Sequence, residues 1–225
     1  MYFGHYGIGL FLKKYSKGLS LGWLFLATQF VDFLAMSFLI LEIEKANVVP
    51  GYSATSSMQY VYFPFSHSLI AFLIWTAVFY IIFRLIKIKS DLKKSKVALI
   101  MAGAVFSHFI LDFIVHTNDM PIFFDGSYKL GLGLWNYSPI LNYILEGSIL
   151  MVGLLFYLRS TKAESLLGKY GIIVLVAIML ILNALLMSGL TLSDSFSSAI
   201  FYLFVNLSIT LSAFWLDKKS LNDKF

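Results

Sequence analysis

The stretch 97–115, VALIMAGAVFSHFILDFIV, is nineteen residues of almost unbroken apolar chain carrying one histidine and one aspartate. As a helix it rises about 28 Å, close to the thickness of a bilayer's hydrocarbon core, so it reads as a membrane span. Five further runs share its character: Leu19 to Ile43, Ser68 to Leu85, Pro139 to Leu158, Gly171 to Gly189 and Ser197 to Leu216. Pro64 and Pro139 sit near helix starts, where a missing amide costs little, and Gly189 suits a helix end. Of the 225 residues 59% are hydrophobic and 13% charged, with a mean hydropathy of +0.82, which excludes a water-soluble fold. The expected architecture is an all-α integral membrane protein of about six transmembrane helices plus a short N-terminal re-entrant or interfacial helix. It forms one membrane domain over residues 1–225, in which 1–160 carries the candidate site and 161–225 adds two further transmembrane helices.

The net charge of +5 follows from topology. With six crossings, fifteen of the seventeen basic residues fall on one side: Lys13, Lys14 and Lys17; Arg84, Lys87, Lys89, Lys93, Lys94 and Lys96; Arg159, Lys162 and Lys169; Lys218, Lys219 and Lys224. Only Lys45 and Lys129 lie opposite. The positive-inside rule makes that side cytoplasmic, with both termini on it, and leaves no reason to expect a nucleic-acid partner. The partner is the lipid bilayer. No removable signal peptide is read at the N-terminus. Two longer loops, 44–66 and 117–138, face the other side and are rich in aromatics, among them Tyr60, Phe63, Phe123, Phe124, Tyr128 and Trp135. An interfacial aromatic belt is the simpler reading of them and a substrate lid the alternative.

Zero cysteines remove disulfides, thiolate metal sites and cysteine nucleophiles. Chemistry is left to histidines, carboxylates and hydroxyls. An ionisable group at the bilayer centre costs about 2.5 to 3.5 kcal/mol on the insertion scale, so Asp32, His108, Asp112 and Glu146, all inside spans, need compensation. His108 and Asp112, four apart, share a helix face and can offer a nitrogen and an oxygen to one ion. Asp32 lies in the outer part of the first span and His67 at the outer mouth of the second. His116 and Asp119 sit just beyond the third. His5 reaches the same level only if residues 2–12 form a re-entrant helix; an interfacial segment with a solvated His5 is the equal alternative. Gln29, Ser66 and Ser107 are most simply supporting or packing groups, and Asn183 and Asn206 interhelical hydrogen-bonders.

A His/Asp set without cysteine suits a divalent ion, Zn²⁺ first, with Mn²⁺ or Fe²⁺ as alternatives. Such an ion lowers the pKa of a coordinated water toward ~7, which makes hydrolysis of an ester or phosphoester, with a lipid-like substrate among the candidates, the natural reaction class. The metal candidates are His5, Asp32, His67, His108 and Asp112. Glu146, His116 and Asp119 are the acid–base candidates, and Glu146 could equally be a structural crosslink with Asn142 or a group orienting a ligand histidine. Two other functions fit the same residues: a metal-ion or proton-coupled transporter, and a non-catalytic scaffold whose buried groups pair with one another.

The pattern Gly4-His5, Gln29-Phe30-Val31-Asp32, Ser66-His67-Ser68-Leu69 and Ser107-His108-Phe109-Ile110-Leu111-Asp112 resembles the YdjM-type family of bacterial inner-membrane metal-dependent hydrolases over roughly residues 1–160. Those proteins carry an N-terminal His, an Asp segment in the first long helix, a T-H-S-L element and an S-H-x-x-x-D element in this order. The chain departs from them in keeping a single carboxylate, Asp32, of the L-P-D-x-D segment. The resemblance implies a metal-dependent hydrolase in the inner membrane.

Overall fold

The computed structural model describes residues 1–124, 126–163, 165–188, 192–217 and 220–221. They form seven α-helices: α1 (Gly4–Lys13), α2 (Leu21–Ile40), α3 (Leu69–Leu85), α4 (Lys94–Val115), α5 (Pro139–Ser160), α6 (Leu166–Met187) and α7 (Ser195–Asp217). Five of them, α2 and α4 to α7, are long and apolar enough to cross a membrane. The expected second span is the shorter apolar helix α3, whose 17 residues rise about 26 Å. The chain is therefore a multi-pass membrane protein. Leu85, Leu99, Ile110, Ile140, Ile144 and Leu155 project outward from the spans and meet the bilayer. Gly189, Lys218, Lys219 and Lys224 lie outside the described residues.

Serines start several helices where the first amides lack carbonyl partners. Ser68 accepts from Ala71 N at 3.0 Å, Ser138 from Leu141 N at 3.4 Å and Ser165 from Gly168 N at 3.1 Å. Helix α2 stops at Ile40, before the expected Ile43, because the chain turns through Glu42 at a positive φ of 58° into a hairpin. Its strands, β1 (Lys45–Val48) and β2 (Met58–Tyr62), pair antiparallel with a bulge between Lys45 and Ala46. Two further short pairs follow, β3 (Met120–Pro121) with β4 (Lys129–Leu130), and β5 (Lys162–Ala163) with β6 (Ser220–Leu221).

Helix α1 settles the open question about the N-terminal segment, because it is packed inside the bundle and not laid along an interface. His5, Tyr6 and Leu10 are fully buried. It runs antiparallel to α2 and beside α5, with Gly7 against Ile149 and Phe11 against Phe156. A Cβ added at Gly7 would come within 2.5 Å of the Ile149 carbonyl oxygen, and one at Gly153 would collide with the Gly7 carbonyl. The glycines thus allow backbone-to-backbone packing that any side chain would prevent. One expectation is corrected here. Lys13 ends α1 and Lys14 and Lys17 follow it, but Met1 at its other end lies inside the bundle, with its α-amino group against Asp112 near the far end of α4 from Lys94, so the N-terminus is not on the basic side.

Candidate metal centre

Helix α4 presents His108 and Asp112 one turn apart, both buried, toward α2 and α1. His108 Nδ1 lies 2.7 Å from the carbonyl oxygen of Thr28, one helical turn before Asp32 on α2. A carbonyl can only accept, so this contact puts the proton of a neutral His108 ring on Nδ1 and a lone pair on Nε2. His116 caps α4 with extended backbone, which folds its ring back over the last turn. Its Nδ1 donates to Asp119 Oδ1 at 2.8 Å and its Nε2 stands 3.7 Å from Asp112 Oδ2. His67 sits in the turn before α3, where Ser68 Oγ donates to Pro64 O at 2.7 Å and fixes the backbone. Its Nδ1 meets Ser66 Oγ at 2.8 Å, and that hydroxyl donates to Glu44 Oε2 at 2.6 Å.

With their Nδ1 atoms engaged, these rings turn Nε2 toward two carboxylates. His67 Nε2 is 3.5 Å from both Asp32 Oδ1 and Asp112 Oδ2. His108 Nε2 is 3.5 Å from Asp32 Oδ1 and 3.0 Å from Asp112 Oδ2, yet it is out of line for a hydrogen bond and has no partner. His5 Nε2 reaches Asp112 Oδ1 at 3.1 Å, with its ring stacked on His108 at 3.6 Å. Three overlapping trios have donor atoms within 4.8 Å of one another: His5, His108 and Asp112; Asp32, His67 and His108; His67, Asp112 and His116. Donors around a tetrahedral ion with bonds of 2.0 to 2.1 Å stand about 3.3 Å apart, in the middle of these separations. Lone pairs of neutral rings facing carboxylate oxygens repel unless a cation or protons lie between them. The buried, unpartnered His108 Nε2 and the thiolate-free N/O donor set both fit a divalent metal.

All five expected metal candidates, His5, Asp32, His67, His108 and Asp112, are thus brought together. Of the acid–base candidates, His116 joins the cluster and Asp119 holds its ring. Burial pushes the Asp119 carboxyl up, but His116 and Thr117 more than offset this and leave it below the usual carboxylate range. Glu146 stands elsewhere. It accepts the backbone amides of Tyr2, Phe3 and Gly4, with the Phe3 bond at 2.7 Å, and so caps α1. Asn142 bonds Thr55, Leu134 and Ser138 and not Glu146. Ser107 donates to Ala104 O within its own helix, while Asn206 accepts from Tyr6 across helices.

The aromatic loops divide between the two expected roles. Tyr60 and Trp135 cover the cluster, with ring centroids 5.8 and 4.4 Å from that of His116. Phe123, Phe124 and Tyr128 are exposed, as a belt requires. Beside the cluster lies a cavity of about 40 Å³, bounded by Asp32, His67, Asp112 and His116 on one side and Tyr2, Tyr60 and Tyr202 on the other. Glu44 was not among the expected residues. Beside Lys45 at the end of a span it reads as a solvated interfacial acid, but it is 1% exposed. Burial pushes its carboxyl up, and Ser66 and His67 pull it back only in part.

Comparison with protein-family models, with curated proteins and with solved structures gives no match.

Proposed function

We propose that the chain is a membrane-embedded metal-dependent hydrolase of the YdjM type, in the bacterial inner membrane, acting on an ester or phosphoester of a lipid-like substrate at the face opposite the basic residues. The observation that carries the reading is the convergence of the Nε2 atoms of His5, His67, His108 and His116 on Asp32 and Asp112 at 3.0 to 3.7 Å, with Nδ1 of three rings engaged elsewhere. His67, His108, Asp32 and Asp112 would hold the ion, with His5 and His116 completing the set. Zn²⁺ suits these donors first, Mn²⁺ or Fe²⁺ next. When bound, the ion supplies Lewis acidity, which makes water nucleophilic near neutral pH.

The chain's own residues do the rest. Tyr60 and Trp135 roof the cluster and limit its water. Asp119 holds the His116 ring with its Nε2 toward the cluster beside the cavity. A second cavity, of about 100 Å³, shares Tyr2, Ser56, Met58 and Tyr202 with the first and runs between the β1–β2 hairpin and the α6 and α7 residues Leu186, Ser198 and Phe201. The apolar lining of that extension, with Met58, Leu186 and Phe201, supports an amphiphilic substrate. Neither cavity is lined by a lysine or arginine among the described residues, which favours an uncharged ester over an anionic phosphomonoester. Toward the basic end the space under the cluster is filled by Leu24, Phe25, Met101 and Leu150, all fully buried, which favours hydrolysis over transport.

Elemental analysis of detergent-purified protein tests the reading. Wild type carries about one divalent ion per chain, and Asp112→Ala carries none. Acyl-ester turnover disappears with the metal. Wild type with no metal above a histidine-free control defeats the proposal. Metal-dependent flux into vesicles without turnover of any ester would replace it with transport.

A further inference from the structure

Glu44, Ser66 and His67 form a chain of hydrogen bonds whose direction is fixed at one end. Glu44 Oε1 accepts the backbone amides of Phe65 and Ser66, each at 2.8 Å, and Oε2 accepts the Ser66 hydroxyl at 2.6 Å. Three donors converge on one carboxylate, and Ser66 has a single proton to give. That proton points at Glu44. What Ser66 Oγ turns toward His67 Nδ1, 2.8 Å away, is a lone pair, so Nδ1 must carry the hydrogen. A neutral His67 ring then has its free electron pair on Nε2, the atom 3.5 Å from Asp32 and Asp112.

We propose that Glu44, through the Ser66 hydroxyl, is a positioning residue that holds His67 in the tautomer able to donate Nε2 to a metal. Its place in the fold suits that task. Glu44 sits where α2 passes into the β1–β2 hairpin, Ser66 precedes α3, and the bonds tie the hairpin covering the cluster to the turn that carries His67. The three metal-facing rings with an Nδ1 partner are thus anchored in three ways: His108 by a helix carbonyl, His116 by Asp119 directly, and His67 by a carboxylate acting through a hydroxyl.

Glu44→Gln separates this role from a merely structural one, because it keeps size and shape. The amide oxygen can still accept the Phe65 and Ser66 amides, which leaves the amide nitrogen facing Ser66 Oγ. Ser66 must then donate to His67 Nδ1, and the ring proton moves to Nε2. The inference rests on the metal-centre reading, but the tautomer is observable without metal. In metal-free protein labelled with ¹⁵N-histidine and titrated until the rings are neutral, His67 should show a protonated Nδ1 in wild type and a protonated Nε2 in Glu44→Gln. With Zn²⁺ as the probe, competition titration should show binding weakened by about 10 to 100-fold in Glu44→Gln. Should that variant not fold, Ser66→Ala provides the test: it removes the link, leaves His67 in mixed tautomers and weakens Zn²⁺ binding by a smaller factor. The same His67 tautomer in wild type and Glu44→Gln overturns the inference, as does Zn²⁺ affinity within twofold of wild type in the folded variant. If wild type binds no Zn²⁺, the metal reading falls, and the tautomer comparison still decides the positioning role.

Discussion

Helix α1 has a buried ionic centre at each end, and the two are built on opposite principles. At the basic end Lys13 Nζ donates to Asp217 Oδ2 at 2.7 Å and to the Leu19 carbonyl, while Leu21 N donates to the same carboxylate oxygen at 2.8 Å. One cation meets one anion, and the carboxylate also caps the start of α2. Charge in that centre is balanced by protein groups alone. At the other end two carboxylates face four imidazoles, and in His67, His108 and His116 the Nδ1 partners leave Nε2 with electrons and not hydrogens. Burying either centre is expensive. With its histidines neutral, the second centre sets only the Met1 α-ammonium against two carboxylates, and that deficit of positive charge marks a site for an ion as opposed to a brace.

The largest effect should come from breaking the brace. Lys13→Met leaves Asp217 buried without its ion-pair partner and should lower unfolding stability by about 3 to 5 kcal/mol, measured in detergent, with metal content unchanged. Lys13→Met combined with Asp217→Leu should recover most of that loss. A loss of metal in either variant would mean that the two centres are not separate. Next comes zinc itself. At a hundred times its Kd it should stabilise wild type by about 2.7 kcal/mol and Asp112→Ala not at all, read as a thermal shift. The zinc effect should fade as pH falls, because ligand histidines must be neutral to bind. Gly7→Ala forces α1 off α5 and should cost about 1 to 3 kcal/mol while weakening zinc binding through His5. The smallest change is Glu146→Gln, which weakens the cap on α1 by about 1 kcal/mol and leaves the ion in place.

The spans were legible because each is a long apolar run, and His108 with Asp112 because four residues make one helical turn. Asp32 and His67 followed from lying at the same level of the bundle. His116 was legible as a participant but not as a candidate ligand, since only the extended backbone after Val115 turns its ring back toward Asp112. Glu146 drew attention as a buried acid, yet its partners are amides more than 140 residues away on a helix whose docking no local pattern reveals. Glu44 was hidden for the opposite reason. Its neighbours in sequence are those of an interfacial turn, and the fold buries it under a hairpin whose pairing depends on residues 58–62. Local periodicity reports what faces lipid, whereas the supports of the cluster come from long-range contacts.

The seating of α1 also sets an order of assembly. Its first residues are held by Glu146, Tyr6 by Asn206 and Lys13 by Asp217, so its contacts span about 140 to 200 residues of chain. Contacts so distant form late, because closing such loops costs entropy before anything is gained. Although α1 is made before them, its seat is incomplete until α5 and α7 are in the membrane. A chain halted after His116 already contains every histidine and aspartate of the cluster, but α1 and His5 then rest on α2 and α4 alone, without the α5 and α7 contacts. The candidate centre therefore includes a helix whose seating needs α5 and α7, which ties its maturation to their synthesis.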